Sequence, residues 1–442
     1  MPRTPFAYGL INSTYQSSIE SYCNKGEFMV APLNVAVVGA GIIGLSTALW
    51  LQRAGLKVTL IDKSEPGLGT SFGNAGLFAD YGRLPMASFA QLCKIPGMLM
   101  DKDSPLSVQP SYAGNLLAYG WHFVKACTPS NYVHGRDVLT TLQILAPEAD
   151  NVLLNVTGAG HLVKSEGCLA LYGTAESLQA AKSGQLMERM QQGVRMESLT
   201  ADQVADLEPD LARFHAGGVL YPDTRFTISP IDLSRCYLRS ICEKGGRLLS
   251  EDILSISDNA GTCSVQSASN RYEFDRVVIC TGVAGSVLTR QLGCKVPLVS
   301  ERGYHLMLNA GEWRINRPVG WLDRAVFMSP MESGVRIAGM AEFAKPDSDE
   351  GAEKKALMLD SAIKMIGKVP EVTSTWVGSR PSTPDSLPVI GPIAGHDKVL
   401  VAYGHGHLGL TLSAVTGQLV TDCILGKPNK TLLAALSPSR FN

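Results

Sequence analysis

The chain has 442 residues, 45% of them hydrophobic and 18% charged, so it can bury large cores and its length predicts two domains. Its 39 basic and 40 acidic residues are scattered and leave a net charge of −1, which argues against nucleic acid and against an electrostatic membrane patch. Ten cysteines without a C-x-x-C pair favour free thiols in a reducing compartment, and a small molecule is the expected partner.

The first patterned segment begins near residue 33. Residues 1–32 precede it, and the first 28 of them are polar and aperiodic and lack the apolar core of a secretory signal. Met29 lies just before the first predicted strand. We therefore expect an N-terminal extension, in which residues 1–28 are either disordered or the product of an upstream start site.

Residues 35–62 predict a strand, a glycine-rich turn, a helix and a second strand that ends on an acid. Gly39, Gly41 and Gly44 have the spacing G-x-G-x-x-G, which permits a tight turn, a close approach to a pyrophosphate and close packing of helix on strand. Asp62 falls 18 residues after Gly44, where a carboxylate can accept both hydroxyls of a ribose. The segment predicts a dinucleotide site with the phosphates at the helix N terminus.

The same region has an alternative interpretation as a membrane span. Residues 33–51 form a run of 19 without a charge, which is long enough to cross a bilayer. Three glycines within six residues and Arg53 at the end of the run argue against a spanning helix. A buried strand followed by a helix explains the hydrophobicity equally well, so we expect no transmembrane helix.

A polar loop, residues 63–82, follows the second strand. It is rich in Gly, Ser, Thr and Asn and is long for a passive connection, which favours a functional loop over an ordinary solvated one. Thr70, Ser71 and Asn74 supply short polar side chains beside backbone N–H groups. We expect this loop to belong to the dinucleotide site.

Helices and short strands alternate through the rest of the chain. The helices are predicted at residues 138–154 (with a kink or restart at Pro147), 177–192, 199–207, 229–246, 350–367 and 412–424. The strands are predicted at residues 167–173, 217–223, 247–256, 262–267, 274–280 and 399–402, and as an antiparallel sheet within 297–345. The buried run that ends at Cys280, before the turn at Thr281 and Gly282, indicates a return to the first sheet.

The dinucleotide domain is therefore predicted to be discontinuous. We assign residues 33–85, 217–296 and 376–430 to it, residues 86–216 and 297–375 to a second domain, and residues 431–442 to a C-terminal tail. The Pro-rich segment that begins at Trp376 is predicted to be irregular.

The segment GHGHLGLT, residues 404–411, precedes the last long helix. Its glycines let backbone approach a flat ring, and the helix N terminus presents positive potential there. That potential would stabilise the negative charge of a reduced flavin, whereas a nicotinamide would not use it in this way. Two alternatives remain, a metal site at His405 and His407 and a Gly-rich loop with structural histidines, although no further ligand residues gather nearby.

Two side chains are candidates for substrate binding. Arg380 lies in SRPSTPD, just before the chain returns to the first domain, so it can point into the crevice between the domains and bind a carboxylate in bidentate fashion. Tyr304 in RGYHL could add a hydroxyl to the same crevice. The competing interpretations are an ordinary ion pair for Arg380 and a buried strand position for Tyr304.

Taken together, four stretches resemble the bacterial D-amino-acid dehydrogenases, in the wider D-amino-acid oxidase, glycine oxidase and sarcosine oxidase superfamily. They are GAGIIGLSTALWLQRAG, LIDKSEPGLGTSFGNAG, PVIGP and GHGHLGLT, and the resemblance extends from about Leu33 to Gly426. It implies FAD and an α/β fold, with a glutathione-reductase-like Rossmann FAD-binding domain and an α+β substrate domain with a large, mostly antiparallel sheet. Leu77 stands where the family often has Gln, which implies a different contact near the flavin.

The resemblance also implies that Arg380 binds the substrate carboxylate. With the motifs above, it leads us to expect that FAD is lined by Gly39, Gly41, Ile42, Ile43, Gly44, Asp62, Lys63, Thr70, Ser71, Asn74, Ala75, Gly76, Leu77, Thr281, Gly282, Gly404, His405, His407, Leu408, Gly409, Leu410 and Thr411. No metal is expected.

The implied reaction removes a Cα hydride from a D-amino acid, or from a cyclic or secondary amino acid such as D-proline or hydroxyproline, to flavin N5. It needs orientation more than a general base, and no acid–base pair is visible in the sequence. The alternatives are a glycine or sarcosine type of oxidase that produces peroxide and a non-catalytic or tRNA-associated flavoprotein, against which the low net charge counts.

The acceptor of the electrons is expected to be a quinone, an electron-transfer protein or oxygen. We expect a cytoplasmic protein, and peripheral contact with the inner membrane is left open, as is the oligomeric state.

Overall fold

A computed structural model describes residues 32–101, 104–259, 261–309, 311–349 and 351–442. The predicted N-terminal extension lies outside these ranges except for its last residue.

The described residues form twelve α-helices and twenty-one β-strands. The helices are α1 (Ile42–Arg53), α2 (Phe89–Met100), α3 (Leu116–Ala126), α4 (Pro129–Thr157), α5 (Ala175–Ser183), α6 (Gln185–Gln191), α7 (Ala201–Leu207), α8 (Pro230–Glu243), α9 (Gly285–Gln291), α10 (Ala352–Ile366), α11 (Ser413–Ile424) and α12 (Lys430–Leu436). The strands are β1 (Asn34–Val38), β2 (Lys57–Asp62), β3 (Leu77–Phe78), β4 (Leu106–Val108), β5 (Val163–Lys164), β6 (Cys168–Leu171), β7 (Glu197–Leu199), β8 (Gly218–Tyr221), β9 (Arg225–Thr227), β10 (Arg247–Ser250), β11 (Ile253–Asp258), β12 (Cys263–Ser267), β13 (Arg271–Phe274), β14 (Arg276–Ile279), β15 (Val299–Asn309), β16 (Val319–Trp321), β17 (Val326–Met331), β18 (Gly334–Phe343), β19 (Glu371–Ser382), β20 (Val389–Ile393) and β21 (His396–Tyr403).

The first sheet has six strands in the order β10-β2-β1-β14-β21-β20, and every neighbouring pair except β20-β21 is parallel. Both its faces are covered. Val35 and Val37 of β1 pack with helices α1, α4, α8 and α11, whereas Ala36 and Val38 pack toward the small antiparallel sheet β11-β12-β13. Because β14 runs parallel to β1, the predicted return of the chain to the first sheet is confirmed.

The second sheet has nine strands in the order β19-β15-β18-β17-β16-β6-β8-β7, with β4 paired to β18. Strands β15, β17 and β18 are antiparallel neighbours, as predicted for residues 297–345. Helix α10 packs on one face, where Met358 and Met365 meet Tyr304 and Leu306 of β15. The opposite face of β15 turns toward the polar loop of residues 63–82, since His305 is bonded to the carbonyl of Gly73.

Several predicted elements differ from the structure, among them the strand expected at residues 247–256, which is divided into β10 and β11 of different sheets. The helix expected at residues 177–192 is divided at Gly184 into α5 and α6. Helix α4 continues through Pro147, so of the predicted kink or restart the restart is wrong and the kink stays a prediction. The Pro-rich segment expected to be irregular forms the end of β19 and then β20. Strand β19 is an edge strand of its sheet, a position that tolerates the missing N–H of Pro381.

Sheet membership divides the chain at different points from the predicted domain boundaries. Strand β8 and all of β19 belong to the nine-stranded sheet, although residues 217–223 and 376–382 were assigned to the first domain. The division into domains stays a prediction. Within the described ranges, no helix combines the length and the apolar character needed to cross a bilayer.

Candidate active site

The glycine-rich turn connects β1 to α1 at the carboxyl edge of the first sheet. Gly39 has φ +103°, and a Cβ there would lie 2.6 Å from the carbonyl oxygen of Cys280. A Cβ on Gly44 would lie 1.8 Å from the carbonyl oxygen of Gly39, so only glycine allows this approach of helix to turn. Helix α1 therefore begins directly beside β1 and β14.

Asp62 ends β2 beside this turn, as predicted. Its carboxylate accepts hydrogen bonds from the N–H of Ala40 at 2.6 Å and the N–H of Ser64 at 2.9 Å. The adjacent Lys63 forms an exposed ion pair with Asp252, with 3.5 Å between Nζ and Oδ2. The acid is thus held at the strand end, while the lysine points to the surface and lacks comparable support as a cofactor ligand.

The loop of Thr70 to Leu77 forms hydrogen bonds both to the start of α1, beside the first sheet, and to the nine-stranded sheet. Ser71 Oγ accepts a hydrogen bond from the N–H of Ile42 at 2.9 Å, so the loop starts at the N terminus of α1. Thr70 Oγ1 donates to the carbonyl of Ser379 in β19 at 2.6 Å. Asn74 closes the loop by accepting from the N–H of Gly76 at 2.7 Å. These bonds hold a polar backbone between the helix N terminus and the nine-stranded sheet.

Arg336 of β18 holds the middle of the same loop. Its Nη1 donates to the carbonyls of Phe72 and Asn74 at 2.8 and 2.9 Å. Beside it, His305 stacks on Trp376 with 5.4 Å between ring centroids. Burial, with Arg336 as the next cause, lowers the pKa of His305 to about 3. The histidine is therefore neutral. The loop packs against two aromatic rings, His305 and Trp376, and against the guanidinium of Arg336.

Thr281 and Gly282 follow β14 on the other side of the glycine turn. Among the residues that the structure describes, the buried hydroxyl oxygen of Thr281 has no hydrogen-bond partner. An orphaned buried hydroxyl is uncommon and indicates a group that a ligand would satisfy. It lies next to Gly39, and its contact with the cofactor stays a prediction.

The segment Gly404 to Thr411 reaches the same region from the C-terminal half. His405 forms an isolated bridge with Ser382 at the end of β19, and Thr411 Oγ1 accepts from the N–H of Ala79 at 2.9 Å. A short 3-10 helix covers Gly406–Leu408, and α11 starts five residues later at Ser413. The predicted contact residues Leu408, Gly409 and Leu410 lie on this turn.

The two histidines of this segment have different surroundings. His405 is buried, and its Nε2 lies 2.9 Å from Thr416 Oγ1; burial lowers its pKa to about 3. His407 is half-exposed and bonds instead to Glu301, with 2.6 Å between Nε2 and Oε1. In the described chain, no group of three or more His, Cys, Asp or Glu side chains is arranged to hold a metal.

Arg380 lies on the loop-facing side of β19, opposite Glu301 of β15. Its Nη1 donates to Glu301 Oε1 at 3.2 Å and to the Met340 carbonyl at 2.8 Å, and Nη2 donates to the Gly339 carbonyl at 3.4 Å. Its Nε takes no partner among the described residues. One edge of the guanidinium is thus anchored, and the other can receive a carboxylate.

Glu301 is the centre of this cluster, and the sequence analysis did not single it out. Burial alone would raise its pKa, but His407, Arg380 and a hydrogen bond from Ser382 at 2.8 Å outweigh burial and lower it to about 2. Glu301 is therefore a carboxylate that carries its charge in a buried position. Alternation along β15 places it on the same face as Gly303 and His305, which is a signal the sequence offered.

Tyr304, the other predicted crevice residue, is placed elsewhere. It is fully buried, its hydroxyl donates to Glu342, and it packs in the core beneath helix α10. Because neighbouring residues of a strand face opposite sides, Tyr304 points away from Arg380 and the loop. The structure thus favours the buried-strand interpretation of Tyr304.

The parts described so far form one continuous cradle. It runs from Asp62 and the start of α1, past Thr281 and the loop of Thr70 to Leu77, to the segment before α11. Helix N termini and glycine turns suit a pyrophosphate, an acid at a strand end suits a ribose, and the unpartnered Thr281 hydroxyl offers a further contact. The residues present fit FAD, and the cradle and fold define a flavin-dependent oxidoreductase.

Comparison with protein families agrees with this class. The model of the DAO family, described as FAD dependent oxidoreductase, matches residues 34–423. The chain therefore belongs to this family, and FAD is its cofactor.

Relatives and solved structures match along almost the whole chain. A D-amino-acid oxidase of Bradyrhizobium diazoefficiens is 30% identical over 424 residues, which cover 92% of this chain and 99% of the relative. A D-amino acid dehydrogenase of Neisseria meningitidis serogroup A is 29% identical and is covered over 100% of its length, against 92% of this chain. The glycine oxidase of Geobacillus kaustophilus has the same fold, with a TM-score of 0.71 at 20% identity and coverage of 92% and 99%.

Proposed function

We propose that this protein oxidises an α-amino acid, with a D-amino acid or a cyclic or secondary amino acid such as D-proline or hydroxyproline as substrate. The observation that carries the proposal is the placement of Arg380, half anchored by Glu301 and the Met340 carbonyl beside the cofactor loop. The relatives named D-amino-acid oxidase and D-amino acid dehydrogenase support the same substrate class.

In this proposal, Arg380 binds the substrate carboxylate through its Nε edge. The backbone of Thr70 to Leu77 and of Gly404 to Thr411 would hold the flavin end of FAD, which supplies the acceptor for a hydride from Cα. Fixing the carboxylate on a rigid strand limits the orientations of Cα, and orientation of this kind can supply much of a rate enhancement. Trp376 and His305 would exclude water from that side.

The test is anaerobic reduction of the bound flavin by a panel of D-amino acids, L-amino acids, prolines, sarcosine and glycine. We expect bleaching by at least one D- or cyclic amino acid. Arg380→Ala should raise KM by roughly 100-fold, since charge-assisted bonds to a carboxylate contribute about 1.5–3 kcal/mol each. FAD content should be unchanged, and Arg271→Ala on the exposed β13 should behave as the wild type.

Failure of every amino acid to reduce the flavin would refute the proposal and favour a non-catalytic or tRNA-associated role. Reduction by glycine or sarcosine with stoichiometric peroxide in air would instead favour the oxidase alternative. A dehydrogenase should reduce a quinone-like dye under argon and release little peroxide.

Two helices with exposed apolar side chains support peripheral contact with a membrane. Helix α2 has no buried residue, and Phe89 and Met100 are 70% and 87% exposed. On the neighbouring α3, Leu117 and Trp121 are 78% and 71% exposed. Leu92 of α2 and Phe123 of α3 pack on one small cluster, and exposed apolar side chains on two such helices are a sign of an interaction surface.

Co-sedimentation with vesicles containing anionic lipid tests this contact. We expect the wild type to bind and Leu117→Gln with Trp121→Gln to bind at least tenfold more weakly, since each buried side chain contributes about 1.5–3 kcal/mol. Met187→Gln with Met190→Gln is the matched control on α6, where both methionines are also exposed. Absence of wild-type binding, or equal loss in the control, would contradict membrane contact.

A further inference from the structure

The structure contains an acid–base pair that the sequence analysis did not find. His407 Nε2 lies 2.6 Å from Glu301 Oε1, and Arg380 Nη1 lies 3.2 Å from the same oxygen. Residues 301, 380 and 407 come from β15, β19 and the turn before α11. An imidazole and a guanidinium that share one carboxylate oxygen lie within the reach of a single amino acid substrate.

Glu301 and His407 differ in solvent exposure, and the more exposed His407 is the one that can receive a proton. The Glu301 side chain is 9% exposed and is also held by Ser382 Oγ at 2.8 Å, whereas the His407 side chain is 48% exposed. When the imidazole is neutral, the Nε2–H that Glu301 accepts leaves Nδ1 as the acceptor. In the described part of the chain, Nδ1 of His407 has no hydrogen-bond partner.

The proposed reaction requires a proton acceptor. Free α-amino acids carry an ammonium group near neutral pH, and a hydride leaves Cα readily only when the nitrogen lone pair can form the C=N bond. Arg380 cannot take this proton, because a guanidinium stays protonated. Glu301 already accepts from three groups and is screened from the solvent, so His407 is the open member of the cluster.

We propose that His407 accepts the ammonium proton of the substrate on Nδ1, and that Glu301 is the positioning residue that orients the imidazole and stabilises its protonated form. The inference rests on the proposed function. The N–H bond breaks first and its proton passes to Nδ1, which leaves a neutral amine. The C–H bond then breaks with its electron pair, so the substrate becomes an iminium as the flavin is reduced by two electrons.

The charged and titratable groups around the pair are few. Glu301 faces His407 from β15, and Arg380 faces Glu301 from β19. Tyr119 of α3 lies near the cluster, where burial, then Glu301 and Asp385, raise its pKa. The phenol therefore stays neutral and does not compete for the proton.

The first measurement is the pH profile of anaerobic flavin reduction by the best substrate of the panel, with the holoenzyme. In the wild type, kcat/KM should depend less steeply on pH below the amine pKa than it does in His407→Gln. In His407→Gln, kcat/KM at pH 7 should be roughly 100-fold below the wild-type value. It should then rise tenfold per pH unit and approach the wild-type value near the pKa of the substrate amine. His161→Gln, on a surface turn, is the matched control and should leave the profile unchanged.

The second measurement uses binding and needs no turnover. Benzoate, a carboxylate without an amine, should bind the wild type and His407→Gln with dissociation constants within about twofold, read from flavin absorbance. 2-Aminoisobutyrate has no Cα hydrogen, and its binding to the wild type should weaken as the pH falls, because a proton already on Nδ1 prevents transfer from the ammonium group. That weakening should be absent in His407→Gln.

The outcomes separate the two proposals. A wild-type profile in His407→Gln, with normal wild-type reduction, overturns the role of His407 and leaves amino acid oxidation standing. An equal loss of benzoate affinity identifies His407 as a carboxylate-binding cation and also overturns it. If no amino acid reduces the wild-type flavin, the proposed function fails and the role of His407 fails with it.

Discussion

Gly44 has a hydrogen atom in place of a side chain, and this allows helix α1 to approach the glycine-rich turn of the cofactor site. A Cβ at this position would lie 1.8 Å from the Gly39 carbonyl oxygen, and backbone cannot move aside as a side chain can. Gly44→Ala should therefore lower the midpoint of thermal unfolding and reduce FAD content, although alanine is the better helix former by about 1 kcal/mol. Flavin absorbance per protein and thermal unfolding measure both effects.

Gly120 is the matched control, since it lies inside helix α3 with open space around its Cβ position. Gly120→Ala should leave FAD content unchanged and raise stability by about 0.5–1 kcal/mol. Similar behaviour of the two variants would show that the clash at Gly44 is relieved elsewhere.

Tyr304 can be tested at the same scale. Its hydroxyl donates to Glu342, which also accepts from the buried Arg302 at 3.0 Å. Tyr304→Phe should lower the free energy of unfolding by about 1–3 kcal/mol, because it leaves the buried carboxylate with one donor fewer. Substrate KM should change less than about threefold. A large rise in KM at unchanged stability would show that Tyr304 contributes to substrate binding in the crevice.

Helix α4 provides a prediction about an element. Pro147 lies in its interior and has no N–H for the carbonyl of residue 143, whereas Pro129 lies in the first turn, where the N–H would have no partner. Pro147→Ala should raise the midpoint of thermal unfolding by about 1–2 °C. Pro129→Ala should change it by less than half of that. Equal effects would show that the helix has adapted fully to Pro147.

The pairing of β19 with β15 is an element that the sequence pattern did not predict. Prolines and polar residues from Trp376 onward indicated an irregular segment, but eleven residues of β15 pair with this strand. An edge strand needs partners on one side alone, so its own pattern is weak. The register with β15 then places Arg380 opposite Glu301, and no local property of either segment encodes that contact.

At the scale of the whole molecule, two buried histidines predict acid sensitivity. Burial lowers the pKa of His305 and of His405 from 6.5 to about 3. The unfolded chain therefore binds more protons than the folded one, so stability is complete above about pH 6.5 and falls as the pH drops toward 3. Each histidine should cost about 1.4 kcal/mol per pH unit in that window.

Thermal unfolding of the holoenzyme between pH 7 and pH 5 measures this loss. His405→Gln should flatten the decline relative to the wild type, since it removes one of the two groups. His161→Gln, an exposed position, should follow the wild type. An unchanged slope in His405→Gln would mean that acidic groups account for the loss.

The sequence by itself determined the cofactor and the combination of a mostly parallel sheet with a large, mostly antiparallel one. Gly39 to Asp62 lie within one strand-turn-helix-strand unit, whose geometry depends on local dihedral angles and spacing, so their role is legible in one stretch. The family resemblance added Leu77, the turn after the returning strand added Thr281, and the glycine-rich segment GHGHLGLT added the residues before α11.

The tertiary structure alone decided which side chains meet beyond the cofactor. Glu301, Arg380 and His407 are separated by up to 106 positions, and they share one oxygen because strand register and a turn bring three elements together. The same strand register places the side chain of Tyr304 in the core. Contacts of this kind depend on which face of a strand is buried. A one-residue shift in strand register would move each of these side chains to the opposite face of the sheet.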